Sequence, residues 1–246
     1  MSRSTTPPGV RYLEEAGRLI ERLATDEWPN IRAGAQLLAE TLERGHVIHA
    51  FGTGHSHMLA EELFYRAGGL VQVRPILFDG LMLHAGARIS TSLERLPELA
   101  SALLDAHPMA EGDALIVASN SGGNAVVSTL ARLAEDRGVR TIAIMSRAHA
   151  TSPAARKTGV PRLHEIASVV IDNGGCVGDA AIEIEGFATR VSPTSTVVGA
   201  AILNAMVAEA VQLLVARGVS PEVFLSANLE GGDAANAAWM PEGATR

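Results

Sequence analysis

The sequence of 246 residues contains one cysteine, Cys176, and few aromatic residues, which make up 4% of the chain. A single cysteine excludes an internal disulfide and is typical of proteins from a reducing compartment, so we expect a cytoplasmic protein. Positive charge is also scarce, since the formal net charge is −7 at pH 7. A chain without a basic surface is a poor candidate for binding nucleic acid, and we exclude this class of partner.

An apolar targeting segment is missing as well. The first ten residues, MSRSTTPPGV, lack the apolar core of a signal peptide. The most apolar long stretch, 196–216, is interrupted by Asn204, Glu209 and Gln212, whose positions fall on one side of a helix. This pattern favours a buried helix over a membrane span, so we expect a soluble protein without a membrane partner.

Short apolar runs alternate with helical patterns along most of the chain, in which 47% of the residues are hydrophobic. The runs predict five strands, at 47–51, 71–78, 114–119, 140–146 and 167–173. The helical patterns predict two helices within 10–44 and further helices at 58–69, 96–106, 125–138 and 194–217. Neither pattern fits 80–94, and the glycine-rich segment 174–193 predicts irregular structure near a site.

Strands that read as continuous apolar runs between helices are typical of a parallel sheet covered on both faces. The predicted fold class is therefore α/β, a three-layer αβα domain with a five-stranded parallel sheet and an N-terminal helical hairpin. We expect a single domain over 1–246, with N-terminal helices at 10–44, a core at 46–217 and a tail at 218–246. In such sheets, ligands bind at the carboxyl ends of the strands.

Two unusual loops follow predicted strands, each directly before a helix. The first loop, 52–57, consists of Gly52, Thr53, Gly54, His55, Ser56 and His57. The second loop, 119–124, consists of Ser119, Asn120, Ser121, Gly122, Gly123 and Asn124. Glycine lets the backbone approach a ligand closely, while hydroxyl, amide and helix N-terminal N–H groups can hold an anion. Because neither loop contains lysine or arginine, we expect uncharged donors to bind a phosphate here.

The same residue types also cap helices without binding a ligand, and this alternative stays open for either loop alone. Two such loops after two buried strands of one domain favour a ligand site. The sequence has no G-x-x-x-x-G-K-[ST] loop and no G-x-S-x-G elbow. The dinucleotide-binding fingerprint would need glycine where His57 stands.

The pattern strand–GTGHS–helix followed by strand–SNSGGN–helix–strand resembles the sugar isomerase (SIS) domain over 10–217. That family comprises phosphosugar isomerases, an N-acetylmuramate 6-phosphate etherase, glucosamine-phosphate synthase domains and sugar-sensing regulators. The resemblance implies that 119–122 form the phosphate loop. It also adds Ser195 to the phosphate-binding residues, because the run 193–211 is similar to a helix of the etherase. We expect neither a cofactor nor a metal.

Removal of a carbon-bound proton beside a carbonyl needs a carboxylate or imidazole whose pKa lies near neutrality. Glu61 and Glu62 both fall outside the apolar face of the predicted helix 58–69, and the helical pattern does not choose between them. The segment AEEL at 60–63 resembles the heptose-phosphate isomerases, which implies that Glu62 is the catalytic base. Glu94, after the second strand, is another candidate. An ordinary surface glutamate is the alternative for each.

Three histidines complete the candidate site. His55 and His57 can donate to a phosphate, open a sugar ring or transfer a proton, and His57 precedes Glu61 by four residues, so the two can share a helix face. A metal held by His55 and His57 is an alternative, but no third ligand has suitable spacing. His84 either reaches the site of a neighbouring subunit or has a structural role. We expect His49, inside the first strand, to lie in the core.

The leading hypothesis is a carbon–oxygen lyase that dehydrates an amino-sugar 6-phosphate such as N-acetylglucosamine 6-phosphate. Glu62 would remove the C2 proton, and Glu94 or a loop histidine would protonate the oxygen leaving C3. The predicted helix 194–217 contains no histidine, whereas the heptose-phosphate isomerases carry one there, and this favours the etherase-like branch. Aldose–ketose isomerisation and a sensor that binds without turnover are the alternatives. The apolar helices also predict a homodimer or homotetramer.

Overall fold

The structure is a computed structural model, and it describes residues 6–239. Five parallel strands form the central sheet in the order β2-β1-β3-β4-β5. The strands are β1 (Ile48–Gly52), β2 (Val73–Pro75), β3 (Ala114–Ala118), β4 (Arg140–Met145) and β5 (Val169–Asp172). The strand order reverses between β1 and β3, which makes their carboxyl ends the place where a sheet of this type binds ligands.

Helices cover both faces of this sheet. They are α1 (Pro8–Thr25), α2 (Trp28–Glu43), α3 (His57–Leu63), α4 (Ala87–Leu93), α5 (Leu99–Ala106), α6 (Ala125–Glu135), α7 (Arg147–Thr151), α8 (Leu163–Ile166), α9 (Ser195–Ala216) and α10 (Gly232–Asn236). The predicted N-terminal hairpin is formed by α1 and α2. Pro29 lies in the first turn of α2, where a missing N–H group costs no helical hydrogen bond.

Successive side chains of each central strand point to opposite faces of the sheet and pack into two separate hydrophobic cores. On β3, Ile116 packs in the core formed with α1, α2, α3 and α9, whereas Leu115 and Val117 pack in the core formed with α5 and α6. All five residues of β3 are buried. A strand buried on both faces has to be apolar at every position, which explains the continuous runs and confirms the three-layer αβα class.

Two predicted elements are too long. The helix predicted at 58–69 ends at Leu63, because Phe64 is extended and Tyr65 has a positive φ of 43°. The strand predicted at 71–78 is paired only over Val73–Pro75, at the edge of the sheet. Proline has no N–H group to donate to a neighbouring strand and is typical of such an edge.

The segments that the sequence left without regular structure contain short elements. A 3-10 turn, Asp79–Leu81, overlaps the start of the segment 80–94, and the helix α4 lies within it. Within 174–193, predicted as irregular, an antiparallel hairpin joins β6 (Ala180–Ile182) and β7 (Val191–Pro193). This hairpin leads directly into α9 and so fixes where that helix begins.

Among the described residues, one helix, α9, is long and apolar enough to cross a membrane, with a mean hydropathy of 1.8. Its residues Val198, Ile202, Met206 and Ala210 are fully buried and belong to the core shared with α2. Burial inside the protein, which covers 44% of the apolar window, therefore accounts for part of the apolar composition of α9. Of the predicted tail 218–246, the last seven residues lie outside the described range.

Candidate functional site

The first loop leaves β1 in a turn that requires glycine. A Cβ atom at Gly52 would lie 2.3 Å from the carbonyl oxygen of Ser56, which is closer than real side chains approach. Gly54 has a φ of +56°, in the left-handed region that favours glycine. The tight turn brings Thr53 and Ser56 to the carboxyl edge of the sheet.

The second loop leaves β3 and is held in place by its neighbours on both sides. Gly122 has a φ of +59°, and a Cβ atom there would lie 2.7 Å from Cε of Met145. The N–H of Ser146 donates to the carbonyl of Asn120 at 3.0 Å, and the N–H of Leu163 donates to the carbonyl of Gly122 at 2.8 Å. The loop that was predicted to bind phosphate is thus a fixed feature of the fold.

Four of the predicted phosphate-binding residues surround a small cavity between the two loops and α9. They are Ser56, Ser119, Asn120 and Ser195. The cavity has a volume of about 10 Å³, which is room for about one water molecule. The structure therefore brings these four residues together, but around a space that is too small for a phosphate. Their role in phosphate binding stays a prediction.

A carboxylate of the same chain accepts the hydrogen bonds of the polar groups at the start of α9. Asp179 accepts hydrogen bonds from the backbone N–H groups of Thr194 at 3.2 Å and Ser195 at 3.0 Å, and from the Ser195 hydroxyl at 2.5 Å. A carboxylate in this position stabilises a helix N-terminus. The hydroxyl hydrogen of Ser195 is consequently used inside the protein.

Glu94 connects the two loops. Its Oε2 accepts hydrogen bonds from the Thr53 hydroxyl at 3.1 Å and from Nδ2 of Asn124 at 2.8 Å. Its backbone carbonyl accepts the N–H of Val126, in the first turn of α6, at 3.2 Å. Burial raises the pKa of the Glu94 carboxyl, while the Thr53 hydrogen bond and two nearby arginines lower it in part. A half-buried carboxyl with a raised pKa is suited to general acid–base catalysis.

A cleft of about 370 Å³ opens beside Glu94 and the second loop. Ser121 and Asn124 line the side nearest to Glu94. Other lining residues are basic: Arg95, His149, Arg156, Lys157 and Arg162. We call this space the cationic cleft. Its volume lies within the range of small-molecule sites, about 300–1,000 Å³.

The sequence-based prediction of a site with uncharged donors missed the basic residues of the cationic cleft. Only folding brings them together, since Arg95 follows α4, His149 lies in α7, Arg156 and Lys157 follow α7, and Arg162 directly precedes α8. One signal was available in the sequence. Lys157 is the only lysine of an acidic chain, and it directly follows Arg156.

The sequence profile of the SIS domain matches residues 11–146, which is more than half of the chain and includes both loops. The chain belongs to the SIS family. A UPF0309 protein of Geobacillus thermodenitrificans (strain NG80-2) is 40% identical over 230 residues, which cover 94% of this chain and 92% of the relative. A UPF0309 protein of Listeria monocytogenes serotype 4b (strain CLIP80459) is 41% identical over 227 residues, 92% of each chain.

A solved structure has the same fold. A phosphoheptose isomerase from Francisella tularensis aligns with a TM-score of 0.55 at 14% sequence identity, over 82% of this chain and 95% of the isomerase. The sequence match and the sheet together make this chain a SIS domain.

The SIS resemblance implied that Glu62 is the base, and the structure places Glu62 against α9. Its Oε1 accepts a hydrogen bond from Nδ2 of Asn204 at 2.7 Å, and it forms an ion pair with Arg66. Asn204 lies about 13 Å along α9 from Ser195, at 1.5 Å per residue. Glu62 lines neither the small cavity nor the cationic cleft. In a single chain, Glu62 therefore does not line either space beside the two loops. Its catalytic role stays a prediction.

The loop histidines of this SIS domain differ in burial. His57 is buried and His55 is exposed. Nδ1 of His57 faces the carbonyl oxygen of Gly54, which can only accept, so this nitrogen carries a hydrogen. Nε2 of His57 lies 3.6 Å from Oε2 of Glu61. The His84 ring packs edge-on against His57, with the ring centroids 5.7 Å apart, so His84 reaches the first loop within its own chain.

Among residues 6–239, no group of three or more histidine, cysteine, aspartate or glutamate side chains is arranged to hold a metal ion. His49 is buried in the core region, where its Nε2 lies 3.2 Å from Oδ2 of Asp113. Burial lowers the pKa of His49, and the contact with Asp113 offsets part of that effect.

Proposed function

We propose that this SIS domain is an enzyme that removes the C2 proton of an amino-sugar 6-phosphate and eliminates water across C2 and C3. Glu94 carries the proposal. It lines the cationic cleft, its pKa is raised by burial, and it is hydrogen-bonded to Thr53 of the first loop and Asn124 of the second. No other glutamate or aspartate lines that cleft within the described residues.

The phosphate is held at the second loop, on the side that faces the cationic cleft. The hydroxyl of Ser121 makes no hydrogen bond with any residue between 6 and 239 and is free to donate. The loop leads into α6, a helix of 11 residues, whose first N–H groups and positive dipole end attract an anion. The sugar lies between this anchor and Glu94, because the small cavity is too narrow for it.

The reaction starts from the open-chain sugar, in which the C1 carbonyl acidifies the proton on C2. Glu94 takes that proton as a carboxylate, a double bond forms between C2 and C3, and the bond from C3 to its hydroxyl oxygen breaks. The departing hydroxide receives that proton from Glu94 and leaves as water. The sugar loses one water and is neither oxidised nor reduced.

Isomerisation of a phosphosugar would begin with the same proton removal. It differs in the next step, in which the proton taken from C2 is returned to C1 while another proton moves from the oxygen on C2 to the oxygen on C1. The resemblance to the heptose-phosphate isomerases implies a histidine on the last long helix as the partner acid–base group for isomerisation. The corresponding helix of this chain, α9, contains no histidine. This supports elimination as the reaction of the present chain.

Turnover of N-acetylglucosamine 6-phosphate tests the proposal. We expect ultraviolet absorbance from the new double bond and a product lighter by one water in mass spectrometry. Glu94→Gln keeps an acceptor oxygen but cannot take a proton, so kcat should fall about 10²- to 10⁴-fold. Glu98→Gln, an exposed glutamate at the start of α5, is the matched control and should retain activity.

The outcomes separate the alternatives. A product of unchanged mass would replace elimination by isomerisation. Binding without any product would indicate a sensor. A larger loss in Glu62→Gln than in Glu94→Gln would return the role of base to Glu62 and contradict the assignment made here.

A further inference from the structure

The cations of the cationic cleft form no ion pair within 4 Å with a carboxylate among the described residues, although the charges of Arg95 and Arg156 act on Glu94 and lower its pKa in part. The side chains of Arg95, Arg156 and Lys157 make no ion pair within 4 Å and no side-chain hydrogen bond with residues 6–239. The other arginines near the surface behave differently, since several pair with a glutamate or aspartate, as Arg132 does with Asp136. Three exposed cations without an ion-pair partner among residues 6–239 therefore face one cleft in a protein whose net charge is −7.

The fourth cation is fixed in position. Nη1 of Arg162 donates to the carbonyl oxygen of Ser121 at 3.0 Å, and Nη2 donates to the carbonyl oxygen of Arg156 at 2.9 Å. Both acceptors are neutral, so the positive charge of the guanidinium is not cancelled. The same contacts tie the second loop to the segment that carries Arg156 and Lys157, which keeps the basic residues next to the phosphate loop.

Histidine adds a neutral donor to this group. Nδ1 of His149 accepts a hydrogen bond from the backbone N–H of Gly178 at 3.2 Å. Burial lowers the pKa of His149, and the nearby Arg162 lowers it further. The neutral ring that accepts at Nδ1 carries its hydrogen at Nε2.

The negative charge of one phosphate does not neutralise the positive charge of the cationic cleft. A sugar phosphate brings a charge of about −1.5 to −2 at pH 7. Four cations and one carboxyl, Glu94, line the cleft, so an ionised Glu94 and one phosphate still leave about one positive charge uncompensated. Uncompensated like charges repel one another, and an anion between them removes that repulsion.

We propose that the cationic cleft binds a second anionic group, a carboxylate or a phosphate, on the same ligand whose first phosphate is held by the second loop. This inference rests on the proposed phosphosugar function and predicts that, among sugar phosphates, those that carry a second anionic group bind more tightly. Arg156 and Lys157 contact the second group, while Arg162 orients the loop between the two anions. The same cationic side chains can bind a carboxylate or a phosphate. Probes that carry one or the other as the second group distinguish the two.

Isothermal titration of the full chain with three probes tests this inference. Glucose 6-phosphate carries one anionic group, 6-phosphogluconate adds a carboxylate, and glucose 1,6-bisphosphate adds a phosphate. We expect at least one of the two doubly charged probes to bind about tenfold more tightly than glucose 6-phosphate, as one charge-assisted contact provides. The probe with the larger gain identifies the second group.

Charge-removing variants locate the effect. In Arg156→Gln and Lys157→Gln, the ratio of the affinities for the doubly and singly charged probes should fall toward one. Arg137→Gln removes the same charge from the exposed end of α6, outside the cleft, and should keep the ratio of the wild type. A ratio that falls equally in Arg137→Gln would mean a general effect of net charge and would overturn the inference.

Failure of the inference and failure of the proposed function have different signatures. If glucose 6-phosphate binds but neither added anion improves affinity, the cations serve the single phosphate, and the second subsite is wrong while phosphosugar binding stands. If none of the three probes binds, and N-acetylglucosamine 6-phosphate does not bind either, the proposed function itself fails.

Discussion

At the scale of single residues, the position of Glu94 decides which chemistry the site can perform. Its carboxyl receives two hydrogen bonds, one from each loop, and these hold it in one orientation beside the cleft. Hydrogen bonds to the carboxylate favour the charged form, whereas burial favours the neutral form and is the larger effect. The result is a group that can release and take a proton closer to neutrality than an ordinary glutamate.

This raised pKa predicts a dependence of stability on pH. Folded protein holds the Glu94 proton at pH values where the unfolded chain has already released it. The stability that Glu94 contributes is therefore complete below the ordinary value of 4.5 and is lost as the pH rises through the raised pKa. Glu94→Gln cannot ionise. As the pH rises through this range, its free energy of unfolding should therefore increase relative to that of the wild type, as measured by chemical denaturation.

The same titration should appear in catalysis. Glu94 acts as a base only when it is ionised, so kcat/KM should rise with pH above 4.5 as the carboxyl loses its proton. Glu98→Gln serves again as the control in both measurements. A stability difference between Glu94→Gln and the wild type that stays constant with pH would show that the carboxyl has an ordinary pKa.

The sequence identified several candidate residues of this site, but it did not predict which of them would lie next to one another. Thr53, Ser121, Asn124 and Glu94 were all candidates. Ser121, Asn124 and Glu94 line one cleft, and Thr53 donates a hydrogen bond to Glu94 from outside it. The basic residues beside them were not predicted, because no sequence pattern joins the end of α4 to the segment after α7. Glu62 was chosen by family resemblance, which carries no information on whether a helix in this chain turns that side chain toward the loops.

At the scale of elements, the hairpin before α9 determines how this long helix starts. Asp179, in the turn before β6, supplies the carboxylate that the first N–H groups of α9 require. It has a positive φ of 69°, a conformation that aspartate and asparagine tolerate better than most residues. The cap therefore depends on the charge and on the residue type.

Asp179→Asn tests this cap because it keeps the shape and removes the charge. We expect a loss of about 0.5–2 kcal/mol in the free energy of unfolding, measured by urea denaturation. Asp136→Asn, at the C-cap of a different helix, α6, is the control, since its exposed ion pair with Arg132 contributes only about 0.3–0.5 kcal/mol. Equal losses in the two variants would show that Asp179 does not stabilise α9.

The elements that the sequence predicted correctly are those whose pattern follows from burial. The strand β3 is apolar at each position because both faces are covered, and the run 114–119 could only be a central strand or a buried helix turn. The errors lie where tertiary contacts decide. The helix predicted at 58–69 has apolar residues at helical spacing beyond Leu63, but Phe64 and Tyr65 leave the helical conformation.

At the scale of the whole molecule, apolar side chains remain on the outer side of the N-terminal helix. Leu13 is 69% exposed on α1, and Val10 and Ile20 on the same helix are also exposed. On α9, Val215 is exposed as well. These residues support the prediction of a homodimer or homotetramer.

Sedimentation velocity checks the predicted assembly. We expect the wild type to sediment as a dimer or tetramer, and Leu13→Glu to shift the distribution toward the monomer because a charge replaces an apolar contact. Glu14→Gln, a neighbouring change on α1, is the control. A wild type that stays monomeric at high protein concentration would contradict the prediction.

The most direct test of the account is a calorimetric comparison of N-acetylglucosamine 6-phosphate with N-acetylglucosamine. We predict that only the phosphorylated sugar binds, that Ser121→Ala weakens its binding about tenfold, and that Ser101→Ala on the exposed side of α5 does not. Equal affinity for both sugars, or binding of the phosphorylated sugar that is unchanged in Ser121→Ala, would contradict a phosphate site at the second loop.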